Sequence, residues 1–373
     1  MYKDHPLGNL DEGAVLGGPW PGIQLFYPLV KYSPALGAYE SMDQARARMR
    51  RHSHGIQAHT VVFDLEDGCR QKAMSRELLR HELPRIAPER KFQIAVRINP
   101  FRTEEYNEDL SLIEEVADCI DVIVLAKAAE VHGAAEVRDL SAWVVGLGKD
   151  ITIQPIIEHP RALKAAPELM AFPTVKHVVF GTHDFARAMA IHLTPKNWIA
   201  ELRTYLDILL LEARIAGKGV IGGVEVLINH APMPEACVEP GDVRSWMELH
   251  GDHDLHVVFQ HALAEAQMGM TGKPVIHPKH VHVCKVAFTP SPMQIRRNVE
   301  ILKAALEADA LLGGAITFEG EMLDPAMFGK ALQGLLRANA LKALADADKQ
   351  FALDVMKRLP AHVLRVNWPY GTI

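Results

Sequence analysis

The stretch VFDLEDGCR, residues 62–70, ends an apolar run with three carboxylates, Asp64, Glu66 and Asp67, inside four positions. Like charges repel, and a carboxylate drawn out of water is costly unless a cation answers it. Counter-charge stands at the ends of other apolar runs: Arg97 and Asn99 close AVRINP, and Lys127 closes VIVLAK. Glu158 in PIIEHP, Asp184 in GTHDFA and His277 in VIHP complete the set. Two carboxylates at successive run ends suit a hard cation such as Mg²⁺, which takes one or two carboxylates and leaves its other positions to water and substrate oxygens. Helix N-caps and rim salt bridges use the same residue types, so spacing alone leaves both readings of Glu158 and Asp184 open. Arg97 is similarly placed between two roles. Its planar fork suits a substrate carboxylate or an enolate oxygen, and equally a structural pair with Asp64 or Glu66.

Groups so far apart in sequence meet only if the elements before them converge. Eight β-rich runs recur, starting near residues 23, 59, 92, 120, 151, 177, 220 and 273, and several are continuously apolar, as parallel strands covered on both faces should be. Between them, AMSRELLRHELPRI and AELRTYLDILLLEARIAG have helical periodicity. Eight strand–helix units predict a TIM (β/α)8 barrel; a doubly wound sheet would carry a phosphate-binding GxGxxG turn, which is absent. In such a barrel the carboxyl ends of the strands share one mouth, which is where the ionisable residues fall. Residues 1–290 are expected to form this catalytic domain with an N-terminal extension, and residues 291–373 a helical extension that covers the mouth or makes subunit contacts. Within the extension, Gly313 and Gly314 are expected to stop a helix that begins near Ser291.

Composition narrows the function. The chain has 373 residues, a net charge of -6 and 49% hydrophobic residues, which suits a globular protein and offers no basic stripe for nucleic acid. No apolar run is long enough to span a membrane and the first residues lack a secretory pattern, so a cytoplasmic location is expected. Four scattered cysteines predict free thiols. Cys69 stands beside the acidic cluster, which disfavours a thiolate and a nucleophilic role.

VVFDLEDGCRQKAMSR, VRINP, VLAKA, IIEHP, FGTHDFA, TGKPVIHPKHVHVCKVAFTPSPMQIRRNVEIL and GGAITFEGEMLDPAMFGKA occur in an order and spacing that resembles the citrate lyase β-subunit/malyl-CoA lyase family, the HpcH/HpaI aldolase superfamily. The likeness runs from about residue 59 to residue 335. It implies a Mg²⁺-dependent carbon–carbon lyase that cleaves a 3-hydroxy acyl thioester of the citryl-, malyl- or citramalyl-CoA class to a keto acid and an acyl thioester. It further implies that Glu158 and Asp184 hold the metal and that Arg97 faces the thioester carbonyl. Asp64, Glu66 and Asp67 would order metal-bound water and basic partners, with Lys127 and Glu66 beside the substrate. Asp324, in EMLDPA, would be delivered to a neighbouring subunit's site as acid or base in a homo-oligomer, a trimer or hexamer. A thioesterase acting on a malyl-CoA-like substrate and a non-catalytic scaffold barrel are the alternatives.

The chain departs from the family pattern in several places. An aspartate often follows the seventh strand, in a pattern like IDGVY, where this chain has IGGVEVLINH with Gly222 and Gly223. Ala126 replaces a usual proline before Lys127, and His183 stands where an acid is common. An insert at 229–256 ends in HGDHDLH, whose His250, His253 and His256 are spaced by three. A zinc site is one reading of this spacing; a polar loop leading into a helix, capped by Asp252 or Asp254, accounts for it better. His277 is expected to orient the end of the eighth strand.

Overall fold

The computed structural model describes residues 22–35 and 37–359. Its centre is a closed barrel of eight parallel strands: β1 (Gly22–Pro28), β2 (Thr60–Asp64), β3 (Gln93–Ile98), β4 (Val122–Leu125), β5 (Thr152–Ile157), β6 (His177–Phe180), β7 (Gly219–Ile221) and β8 (Gly272–Val275). Each strand pairs with its neighbours in sequence, and β8 returns to β1 in register Gly22 to Gly272. Alternate residues point inward. Val62, Ala95, Val122, Val124, Ile156, Val179 and Ile221 fill the barrel, while Val61, Phe63, Ile94, Val96 and Ile123 join the larger apolar layer under the helices. Both faces are therefore buried, which is why the strand runs are apolar throughout.

The surrounding helices are α1 (Met42–Ser53), α2 (Lys72–Ile86), α3 (Glu104–Val116), α4 (Ala135–Gly146), α5 (Pro160–Met170), α6 (Thr182–Ala188), α7 (Trp198–Ile215), α8 (Pro240–His250), α9 (His253–Met268) and α10 (Pro278–Phe288). Proline at the first turn starts α5 and α10, where it loses no helical hydrogen bond. His277 is the N-cap of α10 and accepts the Lys279 N–H at 3.2 Å, so it fixes the turn leaving β8.

Two stretches depart from the sequence reading. The apolar run VIGGVEVLI leaves the sheet after Ile221, because Gly222 and Gly223 bring the backbone against side chains that leave no room for another strand residue. The insert contains the helix α8 where a polar loop was expected. Pro240 at its first turn, a Glu239–Asp242 capping box and a left-handed Gly251 at φ 62° mark its ends. His250 ends α8 and stacks on Trp246, whereas His253 and His256 lie in the first turns of α9, which Asp252 caps.

Beyond the barrel come α11 (Pro292–Glu307), a hairpin of β9 (Ile316–Phe318) and β10 (Glu321–Leu323), α12 (Pro325–Ala340) and α13 (Asp346–Met356), which bury an apolar cluster of their own. The helix α11 ends at Glu307, short of Gly313, and the chain turns at Asp309 in a left-handed conformation, φ 52°. Within the chain, hydrogen bonds tie this unit to the amino-end face of the barrel. Arg337 Nη1 donates to the Ala266 carbonyl at 3.3 Å and Lys342 Nζ to the Lys91 carbonyl at 3.2 Å, both acceptors lying just ahead of strands. The mouth is at the opposite face.

Candidate active site

The register of β2 against β3 places Asp64 directly beside Arg97. Their side chains form a two-pronged pair, Arg97 Nε to Asp64 Oδ1 and Nη2 to Oδ2, each 2.6 Å. Arg97 Nη1 also lies 3.3 Å from Glu66 Oε2, and the guanidinium sits 5.1 Å from the centre of the Phe26 ring. Burial works against its charge, but Asp64, Glu66 and Glu158 outweigh that and raise its pKa. The structural pair and the mouth position thus coexist: Arg97 is both held and presented. Gly68 makes room for this pair, since a Cβ there would overlap Asp64 Oδ2.

Lys127, two residues beyond β4, is the second cation. Its Nζ bonds Glu66 and reaches Asp67 Oδ2 at 3.0 Å, so the three clustered carboxylates are shared between two cations from neighbouring strands. Burial raises the Glu66 pKa, opposed by Arg97 and Lys127, whereas Asp67, despite its own desolvation, is held below its ordinary value by hydrogen bonds with Glu66 and Lys127. Lys127 has a left-handed backbone, φ 51°, a costly conformation for a residue with a Cβ. It turns the Lys127 N–H onto Glu158 Oε1 at 2.5 Å. Asn99 stands behind this set. It is 4% exposed, donates to the Leu65 carbonyl and Asp109, and accepts from Lys72, so it supports the acidic loop from beneath.

Glu158 follows β5 and Asp184 lies in the first turn of α6, just beyond β6, with β5 and β6 paired at Ile157 and Phe180. Glu158 is 6% exposed, and among the described residues its carboxylate receives a single hydrogen bond, from Lys127. Burial, reinforced by the fields of Asp184 and Glu66, pushes its pKa up to about 8. Asp184 is paired with the exposed Arg187, Nη2 to Oδ1 at 2.5 Å.

Mg²⁺ fits these residues. The Glu158 carboxylate occupies space kept free by Gly181, where a Cβ would overlap Glu158 Cβ and lie 3.0 Å from Oε2. A buried carboxylate cradled in this way, without a cationic side chain of its own and beside a second carboxylate, is an oxygen donor set short of positive charge. Among the described residues no three His, Cys, Asp or Glu side chains converge as a metal cluster; a cation held by this pair would take its further positions from water and substrate.

Reading the sequence passed over several of the residues here. Gly181 and Gly68 matter through the Cβ they lack. Arg187 was signalled only by its place one helical turn after Asp184. Glu130, three residues past Lys127, has a pKa raised by burial, and the fields of His159, Lys127 and Asp184 all act on it. Asp324 is the N-cap of α12, accepting Ala326 N–H at 3.0 Å and Met327 N–H at 3.3 Å; no described contact joins it to this chain's mouth. His183, next to Asp184, is exposed. The four cysteines are free thiols, and Cys69 donates to Ser75 with its pKa raised by burial.

The fold and its mouth define a (β/α)8 barrel with an arginine, a lysine and five carboxylates at the carboxyl ends of its strands. Residues 42–236 match the HpcH/HpaI aldolase/citrate lyase family, and the chain belongs to that family. The (3S)-malyl-CoA thioesterase of Cereibacter sphaeroides is 26% identical over 303 residues, covering 80% of this chain and 93% of that protein. The L-malyl-CoA/beta-methylmalyl-CoA lyase of Rhodobacter capsulatus is 27% identical over 286 residues, 74% and 85% of the two chains. Among solved structures, a Burkholderia xenovorans citrate lyase superposes with a TM-score of 0.66 at 19% identity, covering 91% of this chain and 98% of that one. The Mycobacterium tuberculosis protein CitE, crystallised with magnesium, acetoacetate and coenzyme A, gives 0.58 at 22% identity, covering 87% and 99%. No helix among the described residues is long and apolar enough to cross a membrane.

Proposed function

We propose that this chain is a Mg²⁺-dependent carbon–carbon lyase cleaving a 3-hydroxy acyl-CoA thioester of the citryl, malyl or citramalyl class into a keto acid and an acyl thioester. The observation that carries the reading is the pairing, in one mouth, of a fixed guanidinium at Arg97 with the adjoining carboxylates Glu158 and Asp184. Retro-Claisen cleavage removes a proton from the 3-hydroxyl, breaks the bond between C2 and C3, and leaves an enolate that must take a proton at carbon. Arg97, already oriented by Asp64, donates hydrogen bonds to the thioester oxygen as that charge develops, in a site with little reorganisation to make. Glu66 and Asp67 hold Lys127 at the rim, where its ammonium binds the substrate's anionic end. Mg²⁺ held by Glu158 and Asp184 would supply Lewis acidity toward the hydroxyl that becomes the keto oxygen.

Asp324 completes the proposal as the proton-transfer group. Its helix is tied to the far face of its own barrel, so in this reading it serves the mouth of a neighbouring copy in a trimer or pair of trimers. Residues 291–373 then act as lid and subunit contact. The exposed Met322 and Met327 on either side of Asp324 are apolar surface that such a contact would cover. Glu158→Ala and Asp184→Ala should each abolish Mg²⁺-dependent turnover in a folded protein. A variant that keeps wild-type turnover and metal dependence refutes the assignment.

The thioesterase relative supports a second reading, hydrolysis of a malyl-CoA-like thioester at the same mouth, which would release thiol and no keto acid.

A further inference from the structure

The segment that leaves β7 carries a buried charge cluster for which the proposed chemistry has no use. Gly223 is gripped at both of its peptide groups: its N–H donates to Glu265 Oε1 at 2.6 Å and its carbonyl accepts from Lys273 Nζ at 2.7 Å. Lys273, on β8, and Glu265, on α9, are fully buried and paired at 2.5 Å. Lys273 also reaches Glu225 at 3.0 Å, and Glu225 in turn accepts from Trp198 Nε1 at 3.2 Å. A buried group of this kind gains little net stability, because desolvation offsets the attraction; what it holds is geometry.

The other side of Gly223 faces α6. A Cβ at Gly223 would overlap Thr182 Oγ1 and lie 2.6 Å from Trp198 Cη2. Thr182 opens α6, is 1% exposed, and its buried hydroxyl has no hydrogen-bond partner among the described residues. The helix is only seven residues long and has no side-chain N-cap, so packing must locate its first turn. Asp184 lies in that turn. Gly222 allows the clamp to close, since a Cβ there would overlap the Glu265 carboxylate.

We infer that Gly223, clamped between Lys273 and Glu265, is a positioning residue: it buttresses the first turn of α6 and so sets where the Asp184 carboxylate stands relative to Glu158. The inference rests on the reading of Asp184 as a metal ligand. A carboxylate and an ammonium contributed by α9 and β8 thereby act on the cation site through one glycine, although neither reaches the mouth.

The test is Mn²⁺ binding to the purified full chain, followed by the paramagnetic resonance of the free ion, with thermal melting alongside. Gly223→Ala should raise the Mn²⁺ dissociation constant about tenfold or more, the usual cost of disturbing a group that orients a ligand. Thr182→Ala in that background removes the hydroxyl that the new methyl meets and should recover part of the loss. Glu265→Gln keeps the shape but leaves one acceptor oxygen for two donors, and should weaken Mn²⁺ binding in a chain that still melts cooperatively. It carries the test if Gly223→Ala does not fold. Wild-type Mn²⁺ affinity in folded Glu265→Gln or Gly223→Ala overturns the buttress, provided that Asp184→Asn loses binding. If wild-type protein binds no Mn²⁺, or Asp184→Asn binds it equally well, the metal reading falls and the buttress with it.

Discussion

At the scale of single residues, the mouth separates groups that are already satisfied from groups that are not. Asp64, Glu66 and Asp67 are matched by Arg97 and Lys127, whereas Glu158 has a peptide N–H and Asp184 an exposed arginine. Arg97 is preorganised, so its loss should appear in turnover more than in substrate affinity. Arg97→Lys keeps the charge but cannot make the two-pronged contact with Asp64, and we expect kcat to fall by about 10²–10³, as when one donor to a developing oxyanion is removed. Steady-state kinetics check this; near-wild-type kcat would show that the fork is dispensable. Gly181→Ala offers a second test at this scale. The added methyl must displace Glu158, so Mg²⁺ affinity should drop by about tenfold or more while the barrel stays folded, read by calorimetric titration. The ionisable residues were legible in the sequence because carboxylates and guanidinia at the ends of apolar runs contradict their surroundings. Gly68, Gly181 and Gly223 were not, since a glycine's part lies in what its missing Cβ would meet.

At the scale of elements, the strands show where pattern suffices and where it fails. The runs around Val62, Val96 and Val124 are buried on both faces, and an unbroken apolar run reports that directly. VIGGVEVLI has the same texture yet stops being a strand at Ile221, because Gly222 and Gly223 press the backbone against neighbouring side chains, and Glu225 beyond them buries into contacts with Lys273 and Trp198. Helix α8 was illegible for the opposite reason: it buries only Val243 and Met247, too few to show a stripe. Asp324 can be tested by separating two roles that its position combines. As N-cap of α12 its replacement by alanine should cost about 1 kcal/mol, whereas asparagine caps equally well. Asp324→Asn should therefore melt like wild type in denaturant titrations and yet lose turnover. Full activity in Asp324→Asn would confine the residue to capping.

On the scale of the whole molecule, the described residues form a barrel whose clustered ionisable groups face one end and whose C-terminal helices are tied to the other. Its stability should depend on pH through rings the fold keeps neutral. Burial, with nearby lysines adding to it, lowers the pKa of His59 to about 4 and of His177 to about 3; burial also lowers His280 to about 4, where the hydrogen bond to the Leu227 carbonyl opposes it. A histidine whose folded pKa lies below its unfolded value near 6.5 binds its proton first in the unfolded chain. The contribution of these three rings to stability should then be level above about pH 6.5 and fall as pH drops toward 4, and His177→Leu should make the pH dependence over that window shallower in urea titrations. An unchanged slope would mean that this ring titrates normally. Assembly has its own test. Asp324→Ala and Glu158→Ala, each inactive alone, should regain partial turnover when dissociated and reassembled together, because some interfaces then join an intact metal pair to an intact Asp324.

The central claim is cleavage of a carbon–carbon bond, and it is tested most directly by what leaves the mouth. The wild-type chain would be incubated with malyl-, citramalyl- and citryl-CoA, with Mg²⁺ or with a chelator, while the keto acid is trapped as its hydrazone and free thiol is measured in the same sample. The account predicts keto acid and acyl thioester in equal amounts from at least one of these substrates, no excess thiol, and loss of both products under chelation. Thiol without keto acid would show hydrolysis in place of cleavage, and keto acid formed equally well in the chelator would remove the metal from the mechanism.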